Sequence, residues 1–232
     1  MENNELIVNN PLRALGLEEK AGGGIQSMMG LVMARAGLGK TAILVQFALD
    51  CMLLGNKVLH VSIGEGVDKT RAWYDDILTL LTDGEKIGSI PEIMKNRMIM
   101  TFKESSFSKA LLEERLDDLV KQNIYKPECL IIDGYDFASN DKESLEELRD
   151  FMNERGLRMI WFSAVSHRED SRVSLDGVPA PCHEVDSLFE TVLLIKPAGD
   201  AMKLEIVKCD SCKLDPGTIL MLDPSTMLIR KG

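Results

Sequence analysis

The chain has 232 residues, 45% hydrophobic and 28% charged, and this length and composition are typical of one globular domain with a substantial core. Its formal net charge of −10, with no dense cluster of lysines and arginines, disfavours nucleic acid as a partner. No run of about 18 apolar residues is present, so insertion into a membrane is not expected.

The N-terminal stretch, residues 1–20, is predicted to be an arm that precedes a main domain at 21–232. It lacks a basic region followed by an apolar signal segment, which predicts a cytoplasmic protein. Within the arm, residues 11–15 form a short apolar segment. This segment suits packing on a neighbouring subunit and packing on the same chain equally well, and both alternatives stay open.

A phosphate-binding loop is predicted at residues 34–41, Ala-Arg-Ala-Gly-Leu-Gly-Lys-Thr, between an apolar strand-like run and an amphipathic helix pattern. The glycines let successive backbone N–H groups point at a phosphate, beside the positive end of the helix. Lys40 is predicted to contact the β- and γ-phosphates, and the Thr41 hydroxyl to ligate magnesium. The usual pattern begins with glycine, where this chain has Ala34. The predicted nucleotide-binding residues are Ala36, Gly37, Leu38, Gly39, Lys40, Thr41 and Ala42.

Helix and strand patterns alternate after this loop, which predicts an α/β sheet flanked by helices. The tail carries three more strand-like runs, which predict an antiparallel end to the sheet. Residues 164–181, the long loop, have no clear period and are too long for an ordinary connection, so we expect a functional element there. Helices are predicted at 41–54, 68–81, 106–122 and 142–155, and strands at 57–63, 97–102, 129–133, 158–163, 191–195, 203–208 and 218–222.

A second diagnostic segment is Cys129-Leu130-Ile131-Ile132-Asp133, four apolar residues that end in an acid. A buried strand of this kind delivers a carboxylate to the magnesium of a phosphate-binding loop, so Asp133 is predicted to be the acid on the metal side. The alternative is an aspartate that caps the turn after the strand.

These features together resemble the RecA-like P-loop ATPases, in the branch that contains the circadian-clock KaiC proteins and the DnaB replicative helicases. The resemblance covers about residues 20–210 and rests on Ala-Gly-Gly-Gly-Ile at 21–25, the phosphate-binding loop and residues 58–65. It implies a RecA-like fold, with a mostly parallel central sheet flanked by helices and antiparallel C-terminal strands. It also implies ATP and Mg²⁺ as cofactors, and a homo-oligomer, a ring or filament, with ATP at the subunit interfaces.

The resemblance implies roles for further residues. In that branch, the strand after the first helix ends in a glutamate that polarises the attacking water, and the matching residue is Glu65. A later strand ends in a polar phosphate sensor, which would be Ser163, Ser166 or His167. A late strand carries a Lys-x-Arg pair that reaches the neighbouring subunit's nucleotide. Here Lys208 remains and the arginine is missing, which implies slow turnover or a charge supplied by a partner.

The five cysteines have scattered spacing, which favours free thiols in a reducing compartment. Four side chains of the types that bind zinc are Cys182, His183, Cys209 and Cys212. A zinc site is disfavoured, because the adjacent Cys182 and His183 cannot easily point at one ion. His60, in the middle of a strand, is interpreted as a structural histidine.

Three functions remain open. The first is an ATPase that hydrolyses ATP slowly with Mg²⁺, at subunit interfaces, in a regulatory or assembly role. The second is a non-hydrolysing, nucleotide-gated switch that presents the long loop to a protein partner. The third, an accessory role in DNA recombination or unwinding, predicts a basic long loop, whereas the loop mixes Arg168 and Arg172 with Glu169, Asp170 and Asp176.

Overall fold

The computed structural model describes residues 10–16, 28–82, 90–139, 142–210, 214 and 216–230. Its described strands form one eight-stranded sheet in the order β3-β2-β4-β5-β1-β6-β7-β8. The strands are β1 (Met28–Ala34), β2 (Val58–Ile63), β3 (Arg97–Phe102), β4 (Cys129–Asp133), β5 (Met159–Val165), β6 (Thr191–Ala198), β7 (Ala201–Cys209) and β8 (Ile219–Leu222). The helices are α1 (Pro11–Ala14), α2 (Lys40–Leu53), α3 (Val67–Leu81), α4 (Ile90–Met94), α5 (Lys109–Lys121) and α6 (Lys142–Arg155).

Strands β1 to β6 run parallel to one another, and β7 and β8 are antiparallel to their neighbours. This arrangement confirms the predicted α/β fold, with a mostly parallel central sheet and an antiparallel C-terminal part. The carboxyl ends of the parallel strands lie along one edge of the sheet, which we call the carboxyl edge. Ligands of open α/β sheets bind at such an edge.

The central strands are covered on both faces, and every residue of β1 and β2 is buried. This burial explains why both strands read as continuous apolar runs rather than as alternating ones. On one face, the fully buried Trp161 packs against Phe47 of α2, with ring centroids 4.6 Å apart. The same indole lies against β1 at Gly30, where an added Cβ would come within 2.4 Å of the ring.

The N-terminal segment packs on the same chain. Asn10 donates a hydrogen bond from Nδ2 to the Gln46 carbonyl oxygen at 2.6 Å, and Arg13 forms an ion pair with Asp50 at 2.7 Å. Leu12 is buried against the core beside this pair. Of the two alternatives for residues 11–15, the structure therefore shows packing within one chain. Most of the predicted arm, residues 1–9 and 17–20, and the glycine-rich residues 21–25 lie outside the described residues.

Two segments carry structure that the sequence did not predict. A short helix, α4, precedes β3, and Pro91 stands in its first turn, where a missing N–H costs nothing. The long loop also has structure of its own, since Val173 pairs with Pro179 in an antiparallel bridge. The Ser174 N–H donates to the Val178 carbonyl oxygen at 2.9 Å inside that bridge, which makes a tight turn.

The cysteines only partly follow the prediction. Cys51, Cys129 and Cys182 are free and buried, as expected. Cys209 is disulfide-bonded, so the prediction of a free thiol is wrong there, and its sulfur is not a thiolate that could ligate zinc. Cys212 lies outside the described residues. Burial raises the pKa of the Cys182 thiol well above its usual value, which keeps that sulfur protonated.

His60 is fully buried in the middle of β2, and its Nδ1 lies 3.0 Å from the Tyr74 hydroxyl. Burial lowers the pKa of its imidazole to about 4, which keeps the ring neutral near neutral pH. This environment fits the structural role predicted for it. No helix in the described ranges has the length and apolar character needed to cross a membrane.

Candidate functional site

The predicted phosphate-binding loop joins the carboxyl end of β1 to the first turn of α2. Gly37 has φ +75° and Gly39 has φ +84°, a backbone conformation that side chains other than glycine rarely adopt. Gly39 also caps α2, so the loop turns directly into the helix. The first N–H groups of a helix have no intrahelical partner, which makes this end a place where an anion binds.

Lys40 crosses this loop, and its Nζ donates to the Arg35 carbonyl oxygen at 3.5 Å. Partial burial lowers the pKa of Lys40, and the nearby Asp133 carboxylate opposes that shift. A phosphate bound at the α2 N-terminus would add negative charge beside the ammonium and favour its charged form.

Thr41, Asp133 and Ser163 form a chain of hydrogen bonds at the carboxyl edge. The Thr41 hydroxyl donates to Asp133 Oδ2 at 2.6 Å, and the Ser163 hydroxyl donates to Asp133 Oδ1. These contacts follow from the sheet order, because β5 lies between β1 and β4. The structure therefore brings together the two residues predicted to hold magnesium, and their oxygen atoms are of the kind that Mg²⁺ takes as ligands.

A cleft of about 370 Å³, which we call the phosphate cleft, opens over these residues. Lys40, Thr41, Asp133 and the predicted water-polarising Glu65 all line it. Glu65 follows β2 and keeps 53% of its side chain exposed. Lys69, in the first turn of α3, donates to its Oε1 at 2.6 Å. The predicted base and the predicted metal-side residues thus face the same space.

Two positions just after β4 are constrained where they border this cleft. Gly134 directly follows Asp133 with φ +91°, and an added Cβ would lie 2.4 Å from the Ile63 carbonyl oxygen. No side chain fits at that position. Asp136 also lines the cleft, but hydrogen bonds from the Ser139 side chain and from the Ala138 and Ser139 N–H groups lower its pKa and hold it as a turn cap.

Glu104 is a lining residue of the phosphate cleft that sequence reasoning missed. It begins the 3-10 turn Glu104–Ser106 after β3, and its Oε1 lies close against Gly64, where an added Cβ would meet it at 2.7 Å. Glu104 could have been predicted as a lining residue only if β3 were known to lie beside β2. That adjacency is a property of the sheet order, which the sequence pattern does not reveal.

The three predicted sensor residues separate in the structure. Ser163 contacts Asp133, as described above, and His167 lines the phosphate cleft. Ser166 does not line it, and its backbone N–H donates to the Ala34 carbonyl oxygen at 3.0 Å. Ser166 therefore fixes the start of the long loop to the end of β1.

Lys208 lies on β7 and is not among the residues that line the phosphate cleft of its own chain. Its Nζ donates to the Asp186 carbonyl oxygen at 3.0 Å and lies 3.7 Å from Asp176 Oδ2. With 13% of its side chain exposed, Lys208 connects the long loop to the sheet. Its role toward a neighbouring subunit stays a prediction.

A second cleft, of about 270 Å³, lies beside the same phosphate-binding loop, and we call it the Trp73 cleft. Residues 37–41 form one wall, and Trp73 of α3 and residues 224–227 after β8 form the others. Asp223 accepts hydrogen bonds from the Ser225 and Thr226 N–H groups, which shape the turn at 224–226. Sequence reasoning missed this cleft, because its walls come from distant parts of the chain.

A comparison with protein-family models places this site in a known family. The model described as "AAA domain" matches residues 25–166, more than half of the chain. The matched range begins before β1 and ends just after β5, so it contains the phosphate-binding loop, Glu65, Asp133 and Ser163. No curated protein matches the chain. The chain belongs to the AAA domain family of P-loop NTPases.

Proposed function

We propose that this protein is a RecA-like, Mg²⁺-dependent ATPase that hydrolyses ATP slowly at the interfaces of a homo-oligomer, in a regulatory or assembly role. The observation that carries the proposal is the 2.6 Å contact between Thr41 and Asp133, beside Lys40 at the start of α2. An NTPase site needs a magnesium-side hydroxyl, a carboxylate and a phosphate-binding lysine at one place. We propose further that the ATPase domain spans residues 21–232.

The predicted site residues of the phosphate cleft have separate parts in the proposed reaction. Lys40 and the N–H groups at the start of α2 bind the phosphates, and Thr41 and Asp133 hold the metal. Bound Mg²⁺ would neutralise charge on the β- and γ-phosphates. Glu65 orients the attacking water and accepts its proton. Lys69, paired with Glu65, positions that carboxylate.

The RecA-like branch is supported by where the carboxylates lie. Glu65 follows β2, the strand beside β4, and Gly134 leaves no space for an acid next to Asp133. The antiparallel strands β7 and β8 at the end of the sheet agree with the same branch. Slow turnover is supported by the missing arginine and by Lys208, which would have to leave Asp176 and Asp186 to reach a neighbour.

We expect the rate of Mg²⁺-ATP hydrolysis per subunit to rise with protein concentration, because the proposed sites are completed by neighbouring subunits. The measurement is a steady-state rate over a wide concentration range, with the assembly state followed by light scattering. A constant rate per subunit, in a protein that stays monomeric, would contradict the interfacial site. The hydrolytic function itself would then still stand.

The Trp73 cleft gives the proposed nucleotide a place for its base. The cleft borders residues 37–41, so a nucleotide whose phosphates lie over this loop could place its base in the cleft. The indole of Trp73 offers a face on which a purine can stack. The proposed occupant is adenine.

We expect ATP to quench tryptophan fluorescence saturably, because the base would stack on the partly exposed Trp73, whereas Trp161 is fully buried. In the matched variant Trp73→Phe, the quench should disappear while calorimetry still detects binding. Absence of ATP binding by calorimetry would contradict the proposed function. Binding without any quench would contradict only the placement of the base, and a stronger response to GTP would contradict adenine.

A nucleotide-gated switch is the second candidate, and a specific feature of the long loop favours it. His167 and Pro181 of this loop line the phosphate cleft, so the loop contacts the space where nucleotide would bind. Its tip exposes Val173 at 60% and Leu175 completely. An apolar tip joined to a nucleotide site suits a protein partner that recognises one nucleotide state. Measured ATP binding with no hydrolysis would favour this candidate.

A further inference from the structure

A third cleft, of about 410 Å³, lies at the carboxyl edge where β1, β5 and β6 end. We call it the basic cleft, because Arg35, His167, Arg168 and Lys196 line it and no carboxylate does. This composition is unusual in a chain whose formal net charge is −10. The roles proposed for the phosphate cleft and the Trp73 cleft do not explain why these basic side chains are grouped here.

The two arginines of the basic cleft have no ion-pair partner in the part of the chain that the structure describes. Arg35 and Arg168 are both exposed, whereas Lys196 pairs with Glu205 at 3.3 Å. Guanidinium groups bind phosphate in a fork of parallel hydrogen bonds. Two unpaired arginines on one cleft therefore match a group that carries more than one negative charge.

Apart from Ser166, the rest of the lining is apolar. Pro179 of the long loop and Leu194 and Pro197 of β6 stand beside the charged side chains. Small-molecule sites combine such an apolar surface with a few polar groups that fix orientation, and volumes of several hundred Å³ are typical. We propose that the basic cleft binds a small phosphorylated compound, with its phosphate on Arg35 and Arg168 and its apolar or aromatic body on this surface.

The surroundings of the cleft favour a small ligand over a nucleic acid. A single strand needs a positive groove that follows its backbone over several nucleotides. Here the positive charge is confined to one cleft, and the neighbouring loop positions Glu169, Asp170 and Asp176 are acidic. A strand leaving the cleft along the loop would meet like charges.

The basic cleft is connected to the phosphate cleft by shared residues. His167 lines both clefts. The Arg35 carbonyl oxygen accepts the hydrogen bond from Lys40. A ligand that moves Arg35 would therefore also move the acceptor of the Lys40 ammonium group. We therefore expect coupling, in which the ligand changes ATP affinity and ATP changes ligand affinity by the same factor. The coupling rests on the proposed function, whereas the site itself does not.

The test uses 1-naphthyl phosphate, an aromatic phosphate monoester, titrated by calorimetry into the protein saturated with Mg²⁺-ADP, so that the phosphate cleft is occupied. The variant Arg168→Gln should weaken probe binding roughly 10- to 100-fold, as expected for loss of a hydrogen bond to a charged group. The matched control is Arg172→Gln, in the same loop but paired with Asp170 at 2.7 Å and not lining the cleft. It should leave probe binding unchanged.

Several outcomes would overturn the proposal. These are no binding of the probe, equal effects of the two variants, or binding of 1-naphthol as tightly as of its phosphate. Tighter binding of a single-stranded oligonucleotide, lost in Arg168→Gln, would assign the cleft to a nucleic-acid backbone instead. If the protein binds no nucleotide at all, the same titration without ADP still compares the two variants. Failure of the proposed function can therefore be distinguished from failure of the basic cleft as a binding site.

Discussion

Replacement of Glu65 by glutamine should lower the rate of ATP hydrolysis by about 10²- to 10⁴-fold, the range expected for loss of a general base. Glutamine keeps the size and hydrogen-bonding capacity of the side chain but cannot accept a proton. ATP binding should persist, because Lys40, Thr41 and the start of α2 are untouched. Single-turnover hydrolysis and calorimetric ATP binding, measured side by side, check both parts of this expectation.

The matched control for this substitution is Glu104→Gln. Glu104 lines the same cleft and follows the adjacent strand, so its substitution removes the same charge from the same space. We expect a much smaller loss of rate, because Glu104 is not the residue that the RecA-like branch places at the water. If Glu104→Gln lowers the rate more than Glu65→Gln does, the assignment of the base to Glu65 is wrong.

Replacement of Gly30 by alanine should lower the free energy of unfolding by about 3 kcal/mol or more, at the upper end of overpacking effects. The new methyl group would lie 2.4 Å from the Trp161 ring, and neither the central strand β1 nor the fully buried indole can move aside. Urea unfolding followed by circular dichroism measures the change. Gly66→Ala is the control, since nothing lies within 4 Å of the added Cβ. Its effect should stay within about 1 kcal/mol.

If Gly30→Ala does not fold at all, the double variant Gly30→Ala/Trp161→Phe keeps the prediction testable. A smaller ring frees space for the methyl group, so part of the stability should return. A double variant that is less stable than Trp161→Phe by the full cost of Gly30→Ala would show that the close approach to Trp161 is not the cause.

The parts of the site that the sequence predicted are those encoded within a short segment. Residues 34–41 contain the loop and the start of α2, and Asp133 ends a strand whose apolar residues are consecutive. Each of these signals needs only a few neighbouring residues to be recognised. The fold class was predictable for the same reason, since alternating helix and strand patterns indicate a mostly parallel sheet.

The parts that could not be predicted depend on which strands become neighbours. Glu104 reaches the phosphate cleft because β3 pairs with β2, and Trp73 meets residues 224–227 across the fold. The basic cleft likewise combines Arg35 with residues of the long loop and β6. Periodicity and motif spacing carry no information about such pairings, which the packing of the whole sheet decides.

The N-terminal segment and the end of the chain meet at one residue of α2. Gln46 accepts a hydrogen bond from Asn10 at its carbonyl oxygen, and its Nε2 donates to the Met227 carbonyl oxygen at 3.0 Å. These partners lie 36 and 181 positions away along the chain. Removal of either segment would therefore take away one of the hydrogen bonds that Gln46 makes. The helix that presents the phosphate-binding loop is therefore held in place by residues far outside the loop's own motif, so the site depends on contacts that the motif itself does not encode.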